Sequence, residues 1–135
     1  MSNVLVDSNV VLDVLTGDVA WSGWSSAALA KAGESGALII INPIVYAEIS
    51  VSFTRIEDVD AALPLELFRR ETIPFEAGFL AGKAYLAYRR RDGTRTSPLP
   101  DFFIGAHAAL AGYRLLTRDP VRFRTYFPTL EIIAP

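Results

Sequence analysis

Cysteine is absent from this sequence, and histidine occurs once, at His107. Without sulfur there is no disulfide, thiolate nucleophile, iron–sulfur cluster or cysteine-ligated zinc. A single imidazole excludes a histidine-rich zinc site and any chemistry that needs two imidazoles. Long apolar runs are also missing: Ala37 to Ile41 falls far short of the roughly 20 residues that span a bilayer. The N-terminal stretch carries Asp7, Asp13 and Asp18 but no Lys or Arg, the reverse of a signal peptide's basic start. The expectation is a cytoplasmic protein with no membrane association.

What is present describes an ordinary folded chain. An apolar share of 51% and an aromatic share of 11% argue against disorder, and 21% of the residues are charged. The length of 135 residues suits one domain, 1–135, which can close a core without metal or disulfide staples. Net charge is −2. The chemistry left to such a chain is that of carboxylates, hydroxyls, amides and arginines.

Strand and helix signals alternate. Val4-Leu5-Val6 reads as a strand running through Asp7-Ser8-Asn9 into a helix that Gly17-Asp18 breaks. Asp18 or Ser22 can cap a second helix through Ser25 to Glu34, which Gly36 ends. Ala37 to Ile41 lacks polar alternation, the mark of a strand covered on both faces. Asn42-Pro43 then caps a helix from Ile44 to about Phe53, followed by a helical turn over Ile56 to Leu63. Glu71 to Pro74 suits a short edge strand. Phe75 to Arg91 is the longest helical pattern, with Phe75, Phe79, Leu80, Leu86 and Tyr88 as apolar markers and Gly78 and Gly82 suggesting close approach by a neighbour. After the polar loop Arg89 to Pro100, Asp101 to Ala111 reads as a helix, Arg114 to Thr117 as a strand, Asp119-Pro120 as a turn, and Leu130 to Ile133 as a last strand. This order predicts an α/β fold, a three-layer α/β/α sandwich on a central parallel sheet, with its ligand edge at the carboxyl ends of the strands.

The acids fall at related places in that scheme. Asp7 and Asp119 follow two strands, Asp101 starts a helix after a loop, and Glu48 sits early in the helix after the second strand. Singly, Asp7 and Asp101 read equally well as helix caps and Asp119 as a turn residue. Together, if the strands are parallel neighbours, all four carboxylates can converge on one sheet edge. Clustered carboxylates raise one another's pKa, and a divalent cation relieves that. Hard oxygen ligands favour Mg2+ or Mn2+, which can activate water and steady a phosphoryl group's charge.

Arginine dominates the basic residues, and most of it lies in the second half of the chain. Arg89, Arg90, Arg91 and Arg95 stand against Asp92 alone, and Arg114, Arg118, Arg122 and Arg124 against Asp119 alone. Guanidinium forks suit phosphate, so an acidic edge beside arginine patches reads as a nuclease that grips the nucleic-acid backbone, Arg118 and Arg122 included. A solvated helix end explains Arg89 to Arg91 equally well. Gly78 to Ala84 is only superficially like a phosphate-binding loop: it is one residue short and lies within a helix. His107 faces away from a position above Asp101, which favours a structural or interface role over catalysis.

Four segments, taken together, carry a family likeness. Val6-Asp7-Ser8-Asn9, the Glu48 helix, Leu99-Pro100-Asp101-Phe102-Phe103-Ile104-Gly105-Ala106-His107-Ala108 and Leu116-Thr117-Arg118-Asp119-Pro120 resemble the PIN domain. Within that superfamily the chain looks like the VapC-type toxin ribonucleases of bacterial and archaeal toxin–antitoxin pairs. The resemblance implies a Mg2+- or Mn2+-dependent endoribonuclease whose metal site is lined by Asp7, Glu48, Asp101 and Asp119, with Ser8 and Thr117 in support. It also implies RNA as substrate, a small VapB-type antitoxin as inhibitor, and a homodimer. Trp21, Trp24, Val51, Phe53 and Leu67 are the expected interface residues, through the helices after the second strand. Asp13 is an additional acid in the first helix. Two other readings remain open: a PIN-type nuclease of RNA processing or of single-stranded or flap DNA, and a nucleic-acid-binding module without chemistry.

Overall fold

A computed structural model describes residues 2–91 and 99–135, so Arg95, one of the expected phosphate contacts, lies outside the described residues. The elements in chain order are β1 (Val4–Val6), α1 (Ser8–Thr16), α2 (Ser22–Glu34), β2 (Ile39–Ile41), α3 (Pro43–Ser50), α4 (Ile56–Ala62) and β3 (Arg69–Arg70). They continue with α5 (Phe75–Arg91), α6 (Leu99–Ala111), β4 (Arg114–Leu116), α7 (Val121–Tyr126) and β5 (Ile132–Ile133). All strand pairings are parallel, in the order β3-β2-β1-β4-β5, and the helices make this a three-layer α/β/α sandwich.

Strand β1 is the centre. Its three residues have no solvent exposure, as expected of an apolar strand paired on both edges and covered on both faces. From β1 the chain winds outward to β2 and β3, then returns to lay β4 on the other side of β1. That reversal opens a crevice at the carboxyl ends of β1 and β4, the place where open α/β sheets bind ligands.

Several boundaries differ from the sequence expectation, each for a local reason. The edge strand is Arg69–Arg70 rather than Glu71 to Pro74, because Glu71 gives its N–H to Ile41 and the chain then leaves the sheet. Helix α3 ends at Ser50, not Phe53, because Ser52 and Phe53 close tighter turns by donating to the Ile49 and Ser50 carbonyls. Asp101 is the third residue of α6, which begins at Leu99, so it is not a cap. Helix α7 follows the Asp119-Pro120 turn where the sequence gives no helical signal: Arg-Phe-Arg-Thr-Tyr carries little apolar periodicity, and Phe123 alone is buried from it.

Helix α5 has the expected bounds but not the expected inward face. It buries Ala77, Ala81, Ala84 and Tyr88 and packs against α6, while Phe75 and Phe79 are 98% and 67% exposed. Small side chains at helical spacing let two helices approach, and this stripe outweighs the larger residues. The two helix glycines do not serve that approach: a methyl at Gly78 would sit 3.8 Å from Phe103, and one at Gly82 would meet nothing within 4 Å. Gly105 on α6 makes room for a different neighbour, the end of α7: a methyl there would fall 2.6 Å from the Phe127 ring. Of the expected interface residues, Val51 and Leu67 are exposed, whereas Trp24 and Phe53 lean on the core. Among the described residues no helix is long and apolar enough to cross a membrane.

Candidate active site

Asp7 occupies the crevice. It leaves β1 with its N–H bonded to the Leu116 carbonyl and takes the N-cap position of α1. One carboxylate oxygen accepts the Ser8 N–H and the other the Thr117 hydroxyl, both at 2.8 Å. Only 5% exposed, Asp7 has its pKa pushed up to about 7. Burial is the main cause, and Asp101 and Glu48 add repulsion that the Thr117 and Ser8 hydrogen bonds only partly offset.

The loop after β4 faces it. Thr117 is fully buried, and its hydroxyl accepts the Asp119 N–H at 3.1 Å while donating to Asp7. Asn9, to which the sequence assigns no role in the site, ties that loop to α1. Its amide donates to the Asp119 carboxylate and its carbonyl accepts the Arg118 N–H, each at 3.3 Å. The signal available was an amide two residues beyond Asp7, on the first turn of a helix that starts at a strand end.

The other two acids arrive on helices. Ser8 donates its hydroxyl to Glu48 at 2.8 Å, and burial followed by the Asp101 charge raises the Glu48 pKa. Asp101 on α6 is held by Arg122 of α7 at 2.6 Å, and that guanidinium also lies over the Tyr88 ring. A cleft of about 700 Å³ is lined by Asp7, Ser8, Asp101, Asp119, Arg91 and Arg122. Glu48 meets this cleft through Ser8.

Two of the expected contributions take a different form. Arg118 does not reach outward: its Nε and Nη2 bond both oxygens of buried Asp13 at 2.9 and 3.0 Å, and it stacks over Trp21. The additional acid Asp13 thereby anchors the β4–α7 loop, with Ser25 as a further donor. His107 is fully buried between Asn42 and Glu71, in keeping with a structural role. Lastly, among the described residues no three carboxylates or imidazoles stand together as a ready-made metal cage. Asp101 is turned to Arg122 and Glu48 to Ser8.

The donor set nevertheless fits a hard divalent cation. Every candidate ligand is a carboxylate oxygen, and the repulsion that neighbouring carboxylates exert on Asp7 and Glu48 is what such an ion would relieve.

Residues 4–127 match the PIN domain. No curated protein matches the chain in sequence. Its fold is similar to that of VapBC2 from Rickettsia felis, bound to a DNA fragment from its promoter, with TM-score 0.69, 18% identity and 98% of each chain covered. It is similar to VapBC-1 from nontypeable Haemophilus influenzae, with TM-score 0.70, 16% identity and coverage of 97% and 96%. A toxin–antitoxin complex from Klebsiella pneumoniae gives TM-score 0.61 at 20% identity, covering 97% of this chain and 96% of that one.

Proposed function

This chain belongs to the PIN domain family, and from that premise we propose that it is a metal-dependent endoribonuclease, the toxin of a toxin–antitoxin pair. The observation that carries the reading is Asp7: a buried carboxyl at the sheet's reversal point, facing two further acids across a cleft edged by arginines. Asp7, Glu48, Asp101 and Asp119 are the residues to hold Mg2+ or Mn2+. When bound, such an ion lowers the pKa of water and neutralises charge on a phosphoryl group.

The chain's own groups do the rest. Thr117 and Ser8 fix the Asp7 carboxylate by two hydrogen bonds, so its orientation does not depend on a ligand. Ser8 holds Glu48, and Asn9 holds Asp119. Arg122 keeps Asp101 neutralised and lies within the cleft, where an arriving phosphate can compete for its guanidinium. Arg91 lines the same cleft, with Arg89 and Arg90 exposed beside it at the end of α5, and these three grip the RNA backbone.

Product chemistry follows from the histidine. His107 has no exposure and two protein partners, so no imidazole is placed to activate a ribose 2′-hydroxyl. Water is then the nucleophile, leaving a 5′-phosphate and a 3′-hydroxyl. Incubation with total RNA and Mg2+, followed by end mapping, tests this directly. Recovery of 2′,3′-cyclic phosphates would overturn it, and absence of cleavage would overturn the enzyme reading.

The similar folds are found in VapBC and toxin–antitoxin complexes, which supports a small VapB-type antitoxin as this chain's partner. A homodimer is proposed as well, supported by exposed Val51 and Leu67 and by the uncovered Phe75 and Phe79 of α5. Light scattering on the isolated protein checks it: a mass of one chain at micromolar concentration would refute it.

A further inference from the structure

Behind the acids lies a buried polar chain that the proposed reaction does not use. We propose that His107 is a positioning residue: through Asn42 it fixes the register of α3 against α6 and so sets Glu48 level with Asp101. Its catalytic consequence rests on the ribonuclease reading above.

The hydrogen bonds determine their own direction. Asn42 caps α3, and its side-chain oxygen accepts the Val45 N–H at 3.0 Å. Its amide nitrogen is therefore the group 3.1 Å from His107 Nδ1. An amide nitrogen can only donate, so Nδ1 accepts and the ring proton resides on Nε2. Nε2 donates to Glu71 at 3.1 Å, and Glu71 in turn accepts the Tyr113 hydroxyl at 2.8 Å. Every group finds a partner although His107 and Asn42 are 0% and 2% exposed. Buried polar groups are costly unless paired. An apolar pair would fill the same space, but it would not fix one register as directional bonds do.

Spacing shows what the register is for. Glu48 lies six residues beyond Asn42 on α3, and Asp101 lies six residues before His107 on α6. The two helices pack together, and Ser8, which holds Glu48, lines the same cleft as Asp101. They therefore run in opposite directions, and equal steps from the bridge, roughly 9 Å along each axis, arrive at the two acids. A slip of one residue would rotate Glu48 by about 100° and take it off Ser8.

The test is Asn42→Ser, because serine still caps α3 but is too short to reach His107. With the variant folded by circular dichroism, we expect kcat for RNA cleavage to fall about tenfold or more while KM stays near the wild-type value, as a misplaced reacting group requires. A merely structural bridge would lower the melting temperature and leave kcat of the folded protein unchanged, and that result overturns the proposal. If Asn42→Ser does not fold, nitrogen-15 NMR of the wild-type ring decides: an Nε2–H tautomer supports the bridge and an Nδ1–H tautomer refutes it. A wild-type protein that cleaves no RNA would remove the ribonuclease reading alone. The crystal structure of Asn42→Ser would then decide the bridge: loss of the Ser8–Glu48 hydrogen bond supports it, and retention overturns it.

Discussion

Replacing Asp7 with asparagine should make the protein more stable at neutral pH while abolishing its activity. Burial raises the Asp7 pKa from an ordinary 3.8 to about 7. At 1.36 kcal/mol per pH unit, that difference amounts to about 4 kcal/mol. Well below pH 3.8 the carboxyl is protonated in folded and unfolded chains alike, and its full contribution to stability is present. As pH rises the unfolded chain ionises first, so stability falls until the folded carboxyl ionises near 7, beyond which the whole amount is lost. Asparagine does not titrate, but its amide cannot accept both the Ser8 N–H and the Thr117 hydroxyl, a loss of about 1 kcal/mol. Asp7→Asn should therefore be about 3 kcal/mol more stable than wild type at pH 8 in chelator, with the order reversing near pH 4.5. Urea unfolding followed by fluorescence of Trp21 and Trp24 measures this. Adding Mg2+ at pH 8 should stabilise wild type and leave the variant unchanged. A stability difference that stays flat with pH, or a variant weaker than wild type at pH 8, would refute the burial argument.

Asp13→Ala should destabilise the protein by about 3 kcal/mol, since it strips the buried partner from Arg118 and Ser25; denaturant unfolding reads it, and a double-mutant cycle with Arg118→Ala should show strong coupling. Gly105→Ala should cost about 1–3 kcal/mol, because the new methyl would lie 2.6 Å from the Phe127 ring, again measured by unfolding. Changing Arg89, Arg90 and Arg91 together to Glu should weaken all RNAs alike and flatten the salt dependence of binding, which fluorescence anisotropy at several salt concentrations would follow. A loss confined to one RNA sequence would place these residues in base recognition.

The strand ends were the legible part of this molecule. Val4-Leu5-Val6 before Asp7, and Leu115-Leu116 before Thr117, are apolar runs stopped by a polar residue, and such a pattern locates both the strand and the edge where chemistry gathers. Asn42-Pro43 declared its helix start through local backbone chemistry alone. What sequence did not disclose depends on partners distant in the chain. Arg118 reads as a free cation until α1 brings Asp13 beneath it, and Arg122 as a phosphate contact until α6 brings it Asp101. Helix α5 misled for a different reason: hydrophobicity marks its large residues, but contact with α6 selects its alanines. Glu71 carried no motif, and its importance emerges only where β3, α6 and β4 meet.

The pairing of β1 with β4 has a consequence for synthesis. Asp7 and Thr117, and likewise Asn9 and Asp119, are bonded partners 110 residues apart, so the two halves of the site leave the ribosome well separated in time. A nascent chain that has not yet delivered β4 holds Asp7 and Glu48 without the hydroxyl and the fourth acid that complete them. Closing so long a loop is entropically slow to begin and all-or-none once β4 docks. For the ribonuclease proposed above, an unfinished copy therefore spares its own ribosome and messenger, because the carboxylate edge is completed only once β4 has emerged.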